Sequence, residues 1–286
     1  MIKGLGTALI TPFDANGKVD YQALERLLDT QLTGFVDYLV VLGTTGEAAT
    51  MTEKEREEVR TFIRKYVNGR LPLVLGVGGN CTAAVCESLR TMDLTGFEAI
   101  LSVCPYYNKP NQEGLYQHFC AIAETSPVPV ILYNVPGRTG VNLLPETVMR
   151  IYQAHPDKII GIKEASGNIT QIKHLIDLKN SLPDSQLSII SGDDGIACEL
   201  MQAGADGLIS VASNAFPEDF YRIVHYQDAE LQARYAEMIK LLFAEGNPVG
   251  IKAVLAQKGI VSNYLRLPLV PASEQLQQQL AAFNDL

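Results

Sequence analysis

The stretch Ile159–Ala165 places a lysine near the end of an apolar run, where an amine could do chemistry. The run is rich in β-branched residues and is followed by Gly167 and Asn168, which is typical of a buried strand that ends in a loop. Burial disfavours the charged form of lysine and favours the neutral amine, a nucleophile for carbonyl carbons. Lys163 is therefore a candidate for Schiff-base formation. In the structural alternative, its side chain forms an ion pair with Glu47, Glu164 or Asp193.

The elements that must position this lysine can be predicted from eight apolar, β-rich runs, most of them about 20–30 residues apart. The predicted strands are Leu5–Phe13, Tyr38–Gly43, Leu71–Gly78, Ala99–Cys104, Pro129–Tyr133, Ile159–Lys163, Leu187–Ser191 and Gly207–Ala212. The segments between them have helical periodicity, and Thr52–Glu55 has the form of a capping box. This alternation predicts an α/β fold, a closed (β/α)8 TIM barrel. A doubly wound sheet is the alternative, but Thr11–Gly17 lacks its Gly-rich fingerprint.

After Ala212 the strand pattern stops, and the remaining chain predicts helices. They are Pro217–Gln227, Leu231–Glu245, Val249–Lys258 and Glu274–Leu286. No Pro/Ser-rich or charged linker separates these helices from the barrel. We therefore expect residues 1–216 to form the barrel and residues 217–286 to form a helical extension packed on it.

The carboxyl ends of the predicted strands, where barrels of this class build their active sites, carry several reactive side chains. Tyr133 could transfer a proton, or it could be a core residue with a bonded hydroxyl. Arg138 could bind a carboxylate with both arms of its guanidinium group, or it could be a surface residue. Gly43–Glu47 could bind a carboxylate or a phosphate through N–H groups and hydroxyls, or it could be a simple turn.

Together these residues favour one reaction class. A small 2-oxo acid would form an imine on Lys163, and tautomerisation would give an enamine, which is a carbon nucleophile. The enamine would attack an aldehyde whose own carboxylate is bound by Arg138. This is class I aldolase chemistry, which requires neither a metal nor a cofactor, and we expect none.

Composition argues against several other classes of protein. The 286 residues carry a formal net charge of −9 and no Lys/Arg cluster, which disfavours nucleic-acid and anionic-membrane binding. The five cysteines lack C-x-x-C spacing, so we expect free thiols in a reducing compartment. The histidines lie in or near predicted helices, and Asp193–Asp194 is better explained as a helix N-cap than as a metal site. No signal peptide or membrane span is recognisable, and we expect a cytoplasmic protein.

Three motifs resemble the dihydrodipicolinate synthase/N-acetylneuraminate lyase family. They are Gly43–Glu47, Tyr133–Thr139 and Gly161–Ala165, which occur in the right order at predicted strand ends. The likeness covers essentially the whole chain, and the second motif is similar to the synthase branch, which keeps the arginine. The resemblance implies condensation of pyruvate with L-aspartate-4-semialdehyde in the diaminopimelate route to lysine. It also implies a homotetramer, built as a dimer of tight dimers.

The resemblance assigns a Schiff-base lysine, a proton relay, two carboxylate-binding residues and two residues that line the site. They are, in that order, Lys163; Thr44, Tyr133 and Tyr107; Thr45 for pyruvate and Arg138 for the semialdehyde; and Gly192 and Ile209. Tyr107 would reach in from a neighbouring subunit.

The chain departs from the family's lysine-inhibited members in the inhibitor cleft, although it keeps Asn80 and Tyr106. Where the sensitive bacterial type has a serine, two histidines and a glutamate, this chain has Ala48, Glu53, Arg56 and Ala84. The missing acid at Ala84 removes a partner for the lysine ammonium group. We expect weak or absent inhibition by lysine.

Three alternatives stay open. A pyruvate-dependent class I aldolase or dehydratase of the same family, acting on a sugar acid, differs in its second substrate, and the Arg138 region argues against it. A catalytically silent barrel that serves as a binding protein would be expected to lack Lys163 or Tyr133. A nucleotide- or phosphate-binding barrel would use Gly204–Gly207, which is also an ordinary turn before a strand.

Overall fold

A computed structural model describes residues 2–283, and its eight parallel strands form a closed barrel in the order β1 to β8. The strands are β1 Gly4–Ala8, β2 Tyr38–Val41, β3 Leu73–Gly76, β4 Ala99–Val103, β5 Val130–Asn134, β6 Ile159–Glu164, β7 Ser188–Ser191 and β8 Gly207–Ser210. The predicted α/β barrel and all eight predicted strands are confirmed. Several strands are shorter than predicted, because apolar residues such as Leu9, Ile10 and Phe13 stay buried after strand pairing has ended.

Helices connect and follow the strands. Within the described residues they are α1 Tyr21–Thr33, α2 Glu53–Val67, α3 Thr82–Thr91, α4 Gln112–Thr125, α5 Pro136–Thr139, α6 Pro145–Ala154, α7 Ile169–Asn180, α8 Ala197–Gln202, α9 Pro217–Tyr226, α10 Ala229–Phe243, α11 Val249–Gln257 and α12 Glu274–Ala281. Every predicted helix is present, although the predicted end of the last one, at residues 284–286, lies outside the described residues. The sequence did not predict α5, a single turn that carries Arg138.

Capping residues start several of these elements. Thr52 accepts a hydrogen bond from the Glu55 N–H, and the Glu55 side chain accepts one from the Thr52 N–H, which is the predicted capping box of α2. Asn168 caps α7. Asp193 accepts from the Gly195 N–H at 2.8 Å and caps a short 3-10 turn before α8. These caps satisfy backbone N–H groups that lack an intrahelical partner.

The chain divides into two compact units. The first contains the chain up to Gly4 together with Leu73–Ile209, and the second contains Leu5–Pro72 together with the chain from Ser210 onward. In the first unit, β3 to β8 pair in parallel as consecutive neighbours. In the second unit, β1 pairs with β2, and the C-terminal helices belong to the same compact body. The division into a barrel of residues 1–216 and a helical extension of residues 217–286 packed on it stays a prediction.

Candidate active site

In the first unit, β5 and β6 place Tyr133 directly opposite Lys163. Residues in register on neighbouring parallel strands point to the same face of the sheet. The Nζ atom of Lys163 lies 4.5 Å from the centre of the Tyr133 ring, and each residue is 7% exposed. Within residues 2–283, Lys163 forms no ion pair and no hydrogen bond through its side chain, so the structural alternative of a paired lysine is not realised. A buried amine without a carboxylate partner suits nucleophilic attack.

The next residue on each strand belongs to a buried polar network. Asn134 donates to Glu164 Oε2 at 2.9 Å, and Gln171 of α7 donates to the same oxygen at 3.1 Å. The other carboxylate oxygen of Glu164 accepts from the Ser166 N–H at 2.7 Å, and Asn134 accepts from the Leu143 N–H. This network ties the ends of β5 and β6 together next to Tyr133 and Lys163. Hydrogen-bonded networks in a dry interior hold their members in one geometry.

This network was not predicted from the sequence, although the sequence carries a signal of it. A polar residue directly follows the reactive one on both strands, and it lies at the buried end of an apolar run. Because side chains alternate along a strand, the second residue faces away from the first one. A polar pair at such positions needs partners, and Gln171 supplies one of them from α7.

Gly192, which follows β7, makes room for the lysine side chain. A Cβ atom at this position would lie 2.9 Å from Cε of Lys163 and 2.6 Å from Cβ of Ala165. Both distances are shorter than van der Waals contact, so any larger residue would displace the lysine. Ile209 is buried in β8. The structure therefore brings Gly192, Tyr133 and Lys163 together in the first unit.

Arg138 lies on α5, which begins at Pro136 and ends at Gly140 with φ 75°. The Arg138 side chain is exposed, and it forms no ion pair or hydrogen bond within the part of the chain that the structure describes. A free guanidinium group can bind a carboxylate through two parallel hydrogen bonds. The carboxylate-binding role of Arg138 stays a prediction, and the sequence did not predict the helix that carries it.

Tyr107 differs from the other candidates because it is 89% exposed. Its backbone has φ 74°, in the left-handed region that bulky residues rarely adopt. Its N–H donates to the Thr139 carbonyl at 3.4 Å, close to Arg138 in the sequence. A strained backbone at an exposed residue is not explained by packing, and it supports the hypothesis that the residue has a function.

In the second unit, Thr44 and Thr45 form a 3-10 turn with Gly46 directly after β2. Thr44 is exposed, whereas Thr45 is buried and accepts a hydrogen bond from Nδ2 of Asn247 at 2.9 Å. The turn of glycine and hydroxyl residues predicted from the sequence is therefore present. Asn247 was not predicted, since nothing local marks a contact between residues so far apart in the sequence.

A buried ion pair lies next to this turn. Lys252 of α11 is fully buried, and its Nζ atom lies 2.5 Å from Oε1 of Glu47. Burial lowers the pKa of Lys252 to about 8, although the Glu47 carboxylate opposes that shift. The backbone N–H of Arg266 donates to the other oxygen of Glu47 at 3.2 Å. Both partners anchor the turn instead of facing solvent.

The described residues also bear on whether the chain could hold a metal ion or cross a membrane. Within the described residues, no cluster of three or more His, Cys, Asp or Glu side chains could hold a metal ion. In the same part of the chain, no helix combines the length and apolar character needed to cross a membrane.

The fold and the site define a (β/α)8-barrel protein with a buried lysine at the end of a strand, and known proteins are similar to it in fold and in sequence. The model of the dihydrodipicolinate synthetase family matches residues 1–284. The chain is 51% identical over 277 residues to a 4-hydroxy-tetrahydrodipicolinate synthase from Parabacteroides distasonis, with 94% of this chain and 92% of the relative covered. It is 48% identical to the protein of that name from Phocaeicola vulgatus, with 100% and 97% covered.

Solved structures agree. A dihydrodipicolinate synthase from Thermotoga maritima superposes with a TM-score of 0.94 at 41% identity, covering 99% of this chain and 97% of that one. A chloride-inhibited dihydrodipicolinate synthase from Acinetobacter baumannii, in complex with pyruvate, gives 0.92 at 39% identity with 99% and 97% covered. The chain belongs to the dihydrodipicolinate synthetase family, and it is a lyase.

Proposed function

We propose that the protein is a 4-hydroxy-tetrahydrodipicolinate synthase, which condenses pyruvate with L-aspartate-4-semialdehyde in the diaminopimelate route to lysine. One observation carries the proposal: a buried lysine without a carboxylate partner lies against Tyr133, in a chain that shares 51% identity with an enzyme of that name. A related structure was solved with pyruvate, which supports pyruvate as the first substrate.

The amine of Lys163 attacks the C2 carbonyl of pyruvate, and loss of water gives an imine. Removal of a proton from the methyl carbon gives the enamine, which forms a carbon–carbon bond with the aldehyde carbon of the second substrate. The amino group of that substrate then attacks the imine carbon and releases Lys163. Tyr133 transfers protons in these steps, together with Thr44 and Tyr107. No metal or cofactor takes part.

Two carboxylates have to be bound during this reaction. We assign the pyruvate carboxylate to Thr45 and the semialdehyde carboxylate to Arg138, whose exposed guanidinium group is free to bind it. Gly192 and Ile209 line the site. The position of Gly192 next to Cε of Lys163 supports this assignment, because the absence of a side chain at Gly192 leaves space for the lysine side chain.

We also propose a homotetramer, a dimer of dimers, in which Tyr107 completes the relay of a neighbouring subunit. Its exposure of 89% and its left-handed backbone support a function outside its own chain. One related structure is a monomeric dihydrodipicolinate synthase variant, so the assembly has to be measured, by sedimentation velocity. Five free cysteines support a location in the cytoplasm.

A condensation assay tests the function. Pyruvate and L-aspartate-4-semialdehyde are supplied together with the next reductase of the pathway, and we expect efficient turnover that disappears in Lys163→Ala. No turnover, but a borohydride-trapped pyruvate imine, would retain the mechanism and assign the second substrate to a sugar acid. Neither turnover nor imine would favour a barrel that binds ligands without catalysis.

A further inference from the structure

The turn that carries Thr45 is joined to the C-terminal segment at two residues. Asn247, two residues before α11, donates to Oγ1 of Thr45 at 2.9 Å. Lys252, inside α11, forms the buried ion pair with Glu47 at 2.5 Å. The backbone of Arg266 adds a hydrogen bond to Glu47. Helix α11 and its flanks therefore hold the middle and the end of a short turn that lies about 200 residues earlier in the chain.

We propose that Asn247 is a positioning residue for the substrate carboxylate and that it acts through Thr45. The inference rests on the proposed function, in which Thr45 binds the carboxylate of pyruvate. A threonine hydroxyl has one hydrogen to donate and two lone pairs to accept with. Because the Asn247 amide donates to one lone pair, the hydroxyl hydrogen points elsewhere. Within the described residues that hydrogen has no acceptor, and a carboxylate oxygen is the acceptor it suits.

Burial supports this role. Thr45 is 3% exposed and Asn247 is 8% exposed, so water does not compete for the hydrogen bond between them. The Oδ1 atom of Asn247 has no hydrogen-bond donor among the described residues. Burying an amide oxygen without a hydrogen-bond donor costs free energy of folding. Such residues are uncommon unless another contact of the same side chain compensates for that cost. Here that contact is the one with Thr45.

The ion pair fixes the backbone on which this hydroxyl sits. Glu47 has φ 53°, in the left-handed region, and it ends the 3-10 turn of Thr44–Gly46. Lys252 holds its carboxylate and also donates to the Tyr264 carbonyl at 3.0 Å. Lys252 and Glu47 thus place the turn, whereas Asn247 sets the direction of one hydroxyl group. Only the second role depends on whether the substrate has a carboxylate.

This difference gives the experiment. Borohydride trapping on the full-length protein is measured by mass spectrometry as a function of concentration, with pyruvate and with acetone, which has the carbonyl but no carboxylate. We expect Asn247→Ala to raise the pyruvate concentration for half-maximal trapping about tenfold and to leave acetone trapping unchanged. Asn247→Asp should raise it further, because a carboxylate would accept the Thr45 hydrogen and repel the substrate.

Controls separate positioning from folding. Gln257 donates to the Gln277 carbonyl at 2.8 Å near the end of the same helix, and Gln257→Ala should trap both ketones like the wild type. In a Thr45→Val background, which removes the hydroxyl, Asn247→Ala should have no further effect. An additive effect in that background, an equal loss with acetone, or an unchanged pyruvate dependence would overturn the role of Asn247.

The same assay separates this inference from the proposed function, because it contains no semialdehyde. The wild type could trap pyruvate here and yet show no turnover of the semialdehyde in the condensation assay. In that case the proposed second substrate is wrong, and the result for Asn247 is still valid. If the wild type traps neither ketone, both the proposed function and the role of Asn247 are overturned.

Discussion

The ε-amino nitrogen of Lys163 lies 4.5 Å from the centre of the Tyr133 ring, across the β5–β6 pair. The proposed nucleophile and the proposed proton-transfer group are therefore held on adjacent strands, where the backbone fixes their spacing. The buried network of Asn134 and Glu164 follows directly on the same strands and keeps this register. Changes at Lys163 and at Gly192, which gives the lysine room, should affect imine formation, whereas a change at Arg138 should affect the second substrate.

The lysine itself is tested by adduct mass. We expect Lys163→Ala to abolish the pyruvate adduct trapped by borohydride, because no other amine is placed against Tyr133 within the described residues. Lys158→Ala is the matched control: this half-buried lysine donates to the Ser126 carbonyl and should have no effect on the adduct. An unchanged adduct mass in Lys163→Ala would place the imine elsewhere.

Gly192 is tested by adding one methyl group. In Gly192→Ala the new Cβ atom would lie 2.9 Å from Cε of Lys163 and 2.6 Å from Cβ of Ala165. The lysine has to move, so we expect the rate of imine formation to fall about tenfold or more, as for other small misplacements of reacting groups. Gly137→Ala is the control, because a Cβ atom added at Gly137 would meet nothing within 4 Å among the described residues. Equal trapping rates in the two variants would contradict the steric argument.

Arg138 should matter for the second substrate only. We expect Arg138→Ala to raise the KM for the semialdehyde strongly, by about 10²-fold, because a bidentate charged contact is lost. Pyruvate imine formation should stay largely intact, as measured by trapping in the absence of semialdehyde. Arg150→Ala is a suitable control, since that arginine pairs with Glu113 on the surface. Loss of pyruvate binding in Arg138→Ala would contradict the assignment.

Inhibition by lysine should be weak or absent. Ala84 and Asn80 line a cavity of about 140 Å³, and none of the described residues that line it is acidic. In the second unit, Glu53 already forms ion pairs with Arg56 and Arg60, so its carboxylate is engaged. Initial rates measured against lysine concentration check this expectation, and Ala84→Glu should increase any inhibition. Strong inhibition of the wild type at physiological lysine would show that another residue binds the ammonium group.

The barrel could be predicted because strands of a parallel sheet are covered on both faces and form continuous apolar runs. Lys163, Tyr133 and the turn at Thr44 were recognisable for a related reason: polar residues interrupt those runs at strand ends. The α5 turn was missed because four residues are too short for any helical period. Pro136 and Gly140 indicated a turn in the sequence, but they did not indicate that the turn is helical.

Contacts between distant residues could not be predicted. Asn247 and Thr45 are separated by 202 positions, and Arg266 and Glu47 by 219. The local sequence around a polar side chain does not show whether that side chain contacts a residue far away in the chain or faces solvent. The fully buried Lys252 is the clearest case, because its position in an apolar helix gave no indication of the carboxylate that it meets.

A buried histidine predicts how stability depends on pH. His118 of α4 is buried, its Nδ1 atom lies 2.8 Å from Oγ1 of Thr82, and its Nε2 atom has no partner among the described residues. Burial lowers the pKa of His118 from 6.5 to about 4. As the pH falls below 6.5, the unfolded chain takes up a proton that the folded protein refuses until about pH 4. Unfolding is therefore favoured progressively in this window.

We expect the free energy of unfolding to fall between pH 7 and pH 5 by about 2 kcal/mol more in the wild type than in His118→Gln, which cannot titrate. Glutamine can still hydrogen-bond to Thr82, so the variant should fold. Denaturant titrations at both pH values measure the difference. His174→Gln, at an exposed histidine beside Glu146, leaves the buried site intact and should keep the wild-type pH response of that site. An identical pH dependence in His118→Gln and the wild type would show that His118 takes up its proton equally well in the folded protein.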